Sequence, residues 1–72
     1  MYEQWLFDVI AYNGAVDHVF SVYRMYNGEY KIELDGDFYS NVGSRVAAYD
    51  EIEAAVDKMG WIFMEELYYG EI

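Results

Sequence analysis

Residues 19–34 read VFSVYRMYNGEYKIEL, two alternating runs that meet at Asn27-Gly28. That dipeptide between alternating runs is the strongest short-range signal for a β-hairpin. A two-residue turn needs positive φ at both central positions, which Asn and Gly tolerate most easily. Such a turn sets Tyr26 opposite Glu29, Met25 opposite Tyr30, Tyr23 opposite Ile32 and Ser21 opposite Leu34. One face of the predicted hairpin then collects Val19, Tyr23, Met25, Tyr30, Ile32 and Leu34. The other holds Arg24 and Lys31 opposite each other, with Glu29, Glu33 and Asp35 alongside.

Towards the N-terminus, residues 5–12 (WLFDVIAY) fit a helical stripe through Tyr2, Trp5, Leu6, Val9 and Ile10, and equally a strand face of Trp5, Phe7, Val9 and Ala11. The aromatic and β-branched content and the Asn13-Gly14 turn favour the strand. A tight turn there would mismatch the apolar faces, so the reading takes a longer loop, Asn13 to Asp17. That loop sets Trp5, Phe7, Val9 and Ala11 beside Met25, Tyr23, Ser21 and Val19. It leaves Leu6, Ile10, Tyr12, Phe20 and Val22 on a second face, to be covered by the C-terminal segment or used as a partner or homodimer surface.

Beyond Leu34, DGDFYSNVGS is rich in turn pairs and reads as an irregular connection with a short strand at 38–40. A helix is predicted at Tyr49 to Met59. Asp50 and Glu53 form a capping box, Tyr49, Ile52, Val56 and Met59 recur at helical spacing, and Gly60 is a stop. Ser44 is the alternative cap for an earlier start. The run WIFMEELYYGEI then supplies a last strand, Trp61 to Tyr68. The order β-β-β-α-β predicts a single α+β domain over residues 1–72, an antiparallel sheet of three to four strands with one helix on one face. Its predicted core is Trp5, Phe7, Val9, Tyr23, Ile32, Leu34, Ile52, Val56 and Phe63. With no proline in the chain, charge or a partner must protect the sheet edges.

Composition narrows function further. Fourteen acidic residues against four basic ones give a net charge of −10 over 72 residues, which repels nucleic acid and anionic membranes. An aromatic content of 21% and a hydrophobic content of 56% argue for a packed core rather than disorder. Nine tyrosines exceed what so small a core encloses, so some are expected to face a partner. The absence of cysteine removes disulfides and thiolate metal sites. The opening MYEQWLFDVI has no basic region before its apolar run, so neither a secretory signal nor a membrane span is expected, and the expected setting is cytoplasmic.

No catalytic pattern stands out. His18 is the sole imidazole and is read as structural or exposed, and Val42-Gly43-Ser44-Arg45 lacks the flanks of a nucleophile elbow. Asp35-Gly36-Asp37 begins like a calcium loop but lacks most of the later ligands. Glu33 and Asp35, roughly 7 Å apart along a strand, match an inverting glycosidase pair in spacing only. The expectation is therefore a non-enzymatic protein without metal or cofactor. What remains is a pattern of acids in three rows: Asp50, Glu53 and Asp57 on one helical stripe; Glu29, Glu33, Asp35 and Asp37 around the hairpin; and Glu65, Glu66 and Glu71 near the end. Carboxylate rows on a rigid scaffold present a field like that of nucleic-acid phosphates and steer a protein towards a basic groove. Together with Tyr39, the residues from Glu29 to Glu66 in these rows are the candidate partner-binding set, and the expected partner is a larger basic protein or nucleoprotein complex.

A short, cysteine-free, strongly acidic and tyrosine-rich chain resembles the phage-encoded inhibitors of bacterial defence, anti-CRISPR proteins and other DNA mimics among them. The resemblance is one of type and carries no residue over by position. It implies an inhibitor of a nucleic-acid-handling complex in the cytoplasm of a bacterial host. The alternative is a small structural or accessory protein that self-associates through the face of Leu6, Ile10, Phe20 and Val22.

Overall fold

At Asn27-Gly28 the chain makes a three-residue loop rather than the predicted two-residue turn. The Gly28 N–H donates to the Met25 carbonyl (3.0 Å), the Met25 N–H donates to the Glu29 carbonyl (2.8 Å), and Gly28 sits in the left-handed region at φ 89°. This is the turn that ends in a left-handed glycine, and it adds one residue to the connection. The computed structural model describes residues 3–68 and gives β2 as Asp17–Met25 and β3 as Tyr30–Leu34, pairing Phe20 with Leu34, Val22 with Ile32 and Tyr23 with Lys31. A slip of one residue exchanges the faces of a strand. Phe20 and Val22 are consequently fully buried, while Tyr23 turns outward, with the Lys31 ammonium 5.0 Å from its ring centroid.

The two-residue turn lies one hairpin later. Leu34 pairs with Asp37 across Asp35 (φ 54°) and Gly36 (φ 90°), so both central residues have the positive φ of a primed hairpin turn. The stretch predicted as irregular, with a short strand at 38–40, is instead a full strand, β4, Asp37–Val42. The first connection is shorter than predicted. Strand β1, Glu3–Tyr12, ends where Tyr12 pairs with Asp17, and the Asn13 side-chain oxygen caps the loop by accepting from the N–H groups of Ala15 (2.8 Å) and Val16 (2.9 Å). Residues 5–12 are thus strand, but a bulge separates Trp5, opposite Tyr23, from Phe7, opposite Val22. Phe7 goes inward and Trp5 outward, where its indole N–H donates to Asp8 (2.7 Å).

Helix α1, Arg45–Met59, starts at the alternative cap. The Ser44 hydroxyl accepts from the Ala47 N–H (3.1 Å), so the Asp50–Glu53 pair lies inside the helix and is not its capping box. It ends as predicted at Gly60, in the left-handed conformation at φ 72°. There the Gly60 N–H reaches the Asp57 carbonyl and the Trp61 N–H reaches the Val56 carbonyl, the paired bonds of a Schellman motif. Strand β5, Ile62–Tyr68, then pairs antiparallel with β1.

The result is α+β, one helix on a five-stranded antiparallel sheet of order β4-β3-β2-β1-β5, one strand more than predicted at most. The helix carries the chain from one sheet edge to the other. Beneath it Phe7, Val9, Ala11, Phe20, Val22 and Ile32 meet Ala48, Ile52, Ala55 and Val56, where each large side chain contributes about 1.5–3 kcal/mol by leaving water. The small alanines at 48 and 55 let the helix approach the sheet. Of the predicted core, Phe7, Val9, Ile32, Ile52 and Val56 are buried and Leu34 packs at the margin. Trp5 and Tyr23 lie on the helix-free face, and Phe63 is 55% exposed. The predicted second face fails likewise. Phe20 and Val22 are under the helix, Leu6 packs against the core, and Ile10 faces away beside Val19. Among the described residues no helix is long and apolar enough to cross a membrane.

Candidate partner-binding groove

Glu71 lies outside the described residues, and the other acids of the predicted rows do not form one surface. Glu29 borders the β2–β3 loop and Asp37 opens β4, both exposed. Glu33 lies on the helix-free face and is bonded to the Lys31 ammonium (3.1 Å), which also holds Glu3 (2.9 Å). These bonds, the one to Glu3 foremost, raise the Lys31 pKa against the opposing effect of burial. Tyr23 on the same face is raised by burial first and then by the charges of Glu33 and Asp8. Glu65 pairs with Ile10 on that face too. Tyr39 is on the opposite side, edge-on to Phe20.

Asp35 has a structural task. Its carboxylate accepts from His18 Nδ1 (2.7 Å) and from the Val19 N–H (2.9 Å). Burial alone would raise its pKa, but these bonds outweigh it and the net shift is downward. Asp35 thus sits in the turn, bonded to His18, while Glu33 is bonded to Lys31.

The acids that converge are those of α1 and β5. The helix runs nearer to β3 and β4 than to β5, and the space left over is an open groove of about 400 Å³. Val9, Ile52 and Val56 are its apolar base, and Trp61 and Phe63 are its aromatic side. Glu53, Asp57 and Glu66 line it as well, Glu53 and Asp57 one turn apart on α1. Asp50 continues their stripe along the helix, exposed. Among the described residues none of these four acids is ion-paired to a Lys, Arg or His.

Glu66 is held in place by a chain of hydroxyls. Tyr68 donates to Glu66 Oε1 (2.7 Å), so the 3.0 Å contact between the Tyr49 and Tyr68 hydroxyls has Tyr49 as donor. Both bonds, that with Tyr49 foremost, and then burial push the Tyr68 hydroxyl well above its ordinary pKa. Phe7 supports the arrangement, stacked on Tyr49 at 4.7 Å and edge-on to Tyr68 at 5.8 Å. Trp61 is fixed from its other side by His18, whose ring lies parallel to it.

The sequence singled out Glu53, Asp57 and Glu66 but not Tyr49, Trp61 or Phe63 as site residues. The available signal was Gly60, whose Schellman geometry returns Trp61 to Val56, and the alternation that sets Glu66 and Tyr68 on one face of β5. No group of three or more His, Cys, Asp or Glu suited to a metal occurs among the described residues. Comparison of the chain with protein-family models, curated proteins and solved structures finds no match.

Proposed function

We propose that the protein is a non-enzymatic inhibitor that docks the acidic side formed by α1 and β5 into a basic, nucleic-acid-binding site of a larger bacterial defence protein or other nucleic-acid-handling protein, and blocks it. The observation that carries this reading is the stripe of Asp50, Glu53 and Asp57, exposed on a rigid helix beside Glu66 and, among the described residues, ion-paired to no Lys, Arg or His. Folding gains nothing from it, since Glu53 and Asp57 are a like-charge pair at i and i+4, a destabilising arrangement. A basic groove would supply the missing counter-charge and be reached at a high, steered rate.

The test is affinity capture from a bacterial lysate, followed by titration of the captured protein at rising salt and against competing nucleic acid. Affinity should fall steeply with salt, nucleic acid should displace the complex, and reversal of Asp50, Glu53 and Asp57 to lysine should slow association. A partner that binds equally well at high salt and to the triple variant overturns the reading.

A second reading rests on the helix-free face, where Ile62 and Leu67 are exposed along the same face as Ile10 and Val19. It makes the chain a self-associating structural or accessory protein, a homodimer through that face. A concentration-independent monomer in sedimentation removes it.

A further inference from the structure

The groove between α1 and β5 joins two surfaces that rarely suit the same ligand. Its base is apolar and aromatic, and its acids carry three negative charges. A purely apolar ligand would leave the carboxylates beside a drier surface, an anion would be repelled, and a hydrated cation would make no use of the base. A side chain with an aliphatic stem and a cationic head uses both.

Between the two candidates, the geometry favours arginine over lysine. Its planar guanidinium stacks on aromatic rings and offers five donors in a fixed fork, whereas an ammonium is a compact, strongly hydrated charge. The groove supplies both kinds of partner, the rings of Trp61 and Phe63 and the carboxylates of Glu53 and Asp57, whose Cβ atoms are roughly 6 Å apart at helical i, i+4 spacing. Tyr49, which donates onward to Tyr68, keeps acceptor capacity on its own oxygen. We infer that the groove seats an arginine side chain from a basic segment of the partner, its stem over Ile52, Val56 and Phe63 and its guanidinium between Glu53, Asp57 and Glu66. The inference deepens the inhibitor reading and rests on it for the partner's basic character.

The test uses N-acetylarginine amide as the minimal probe and hexa-arginine for affinity. In amide and indole chemical-shift mapping, the minimal probe should move Glu53, Asp57, Phe63 and the Trp61 indole, and leave the Trp5 indole on the opposite face unmoved. Hexa-arginine should bind about fivefold more tightly than hexalysine, and Phe63→Ala should reduce that affinity by a similar factor. Phe63 is 55% exposed, so its truncation should leave the fold intact, which the unchanged amide spectrum away from the groove would show. Removing two charges in the groove (E53Q with D57N) should weaken hexa-arginine more than removing two elsewhere (E29Q with D37N). Equal weakening by the two pairs, shifts spread over all acidic surfaces, or equal affinity for hexalysine overturns the inference. If the captured partner responds to salt and to the triple reversal but not to Phe63→Ala, the arginine site fails and the inhibitor reading stands. If N-acetylarginine amide seats in the groove while the partner ignores salt and the triple reversal, the inhibitor reading fails and the site stands.

Discussion

The imidazole of His18 lies flat on the indole of Trp61, ring centroids 4.0 Å apart and planes within 3° of parallel. Both ring nitrogens are occupied. The Asn13 side-chain oxygen is committed to two backbone N–H groups, so its Nδ2 donates to His18 Nε2 (2.8 Å), and His18 Nδ1–H is left to donate to Asp35. Two turns and the wall of the groove are thereby tied together through one ring. Asp35→Asn tests the charge in this arrangement, because asparagine tolerates the left-handed backbone at that position. Asp35 has a folded pKa below its ordinary 3.8, so its contribution is fully present above that value and disappears as pH falls through the folded value. The variant should lose about 1 kcal/mol in urea unfolding at neutral pH, and less as pH drops below 3.8. An equal loss at both ends of that range would show that the charge is irrelevant.

The register around the 25–29 loop is tested by two neighbouring truncations. Phe20 is fully buried, and Phe20→Ala should cost about 3–5 kcal/mol, close to the whole stability of so small a domain. Tyr23 sits on the opposite face, and Tyr23→Ala should cost about 1 kcal/mol, mainly the contact with Lys31. Chemical denaturation compares them directly, and the reverse order of costs would restore the two-residue turn.

That comparison also shows what the sequence made legible. The α+β class, the helix end at Gly60, the last strand and the inward set Phe7, Val9, Ile32, Ile52 and Val56 follow from periodicity and punctuation, which are local properties. Register is not local. Asn27-Gly28 is compatible with both a two- and a three-residue loop, and which one forms depends on whether Phe20 and Val22 or Tyr23 meets the helix. The bulges at Leu6 in β1 and Met64 in β5 leave no mark in the alternation pattern, yet they decide that Trp5 points away from the core and Phe63 lines the groove. Of the site, the acids were legible as residues but not their grouping, since Glu66 meets Glu53 and Asp57 only through the β1–β5 pairing.

Gly60 closes the helix where the groove begins. A Cβ there would meet nothing within 4 Å, so the cost of Gly60→Ala is that of a left-handed backbone, about 1 kcal/mol. Because the Trp61 N–H bonds to Val56 through this motif, the substitution should also loosen Trp61 against His18. Thermal unfolding should show the loss, with a change in the Trp61 indole resonance. An unchanged melting temperature would mean that the helix end does not depend on the left-handed turn.

Asp57→Lys separates what stability favours from what the surface is built to bind. Asp57 stands four residues after Glu53 and near the helix C-terminus, where a negative charge is opposed both by its neighbour and by the helix dipole. A lysine there forms an ion pair with Glu53 in the favourable order and complements the dipole, for a gain of about 0.5–1 kcal/mol. The same change places a positive charge at the edge of the groove and should weaken hexa-arginine and the captured partner alike. A variant that melts higher and binds worse is the expected outcome, measured by thermal unfolding and by titration on one sample. A variant that melts lower would show that Asp57 serves the fold, removing the argument that this acid is kept for a partner.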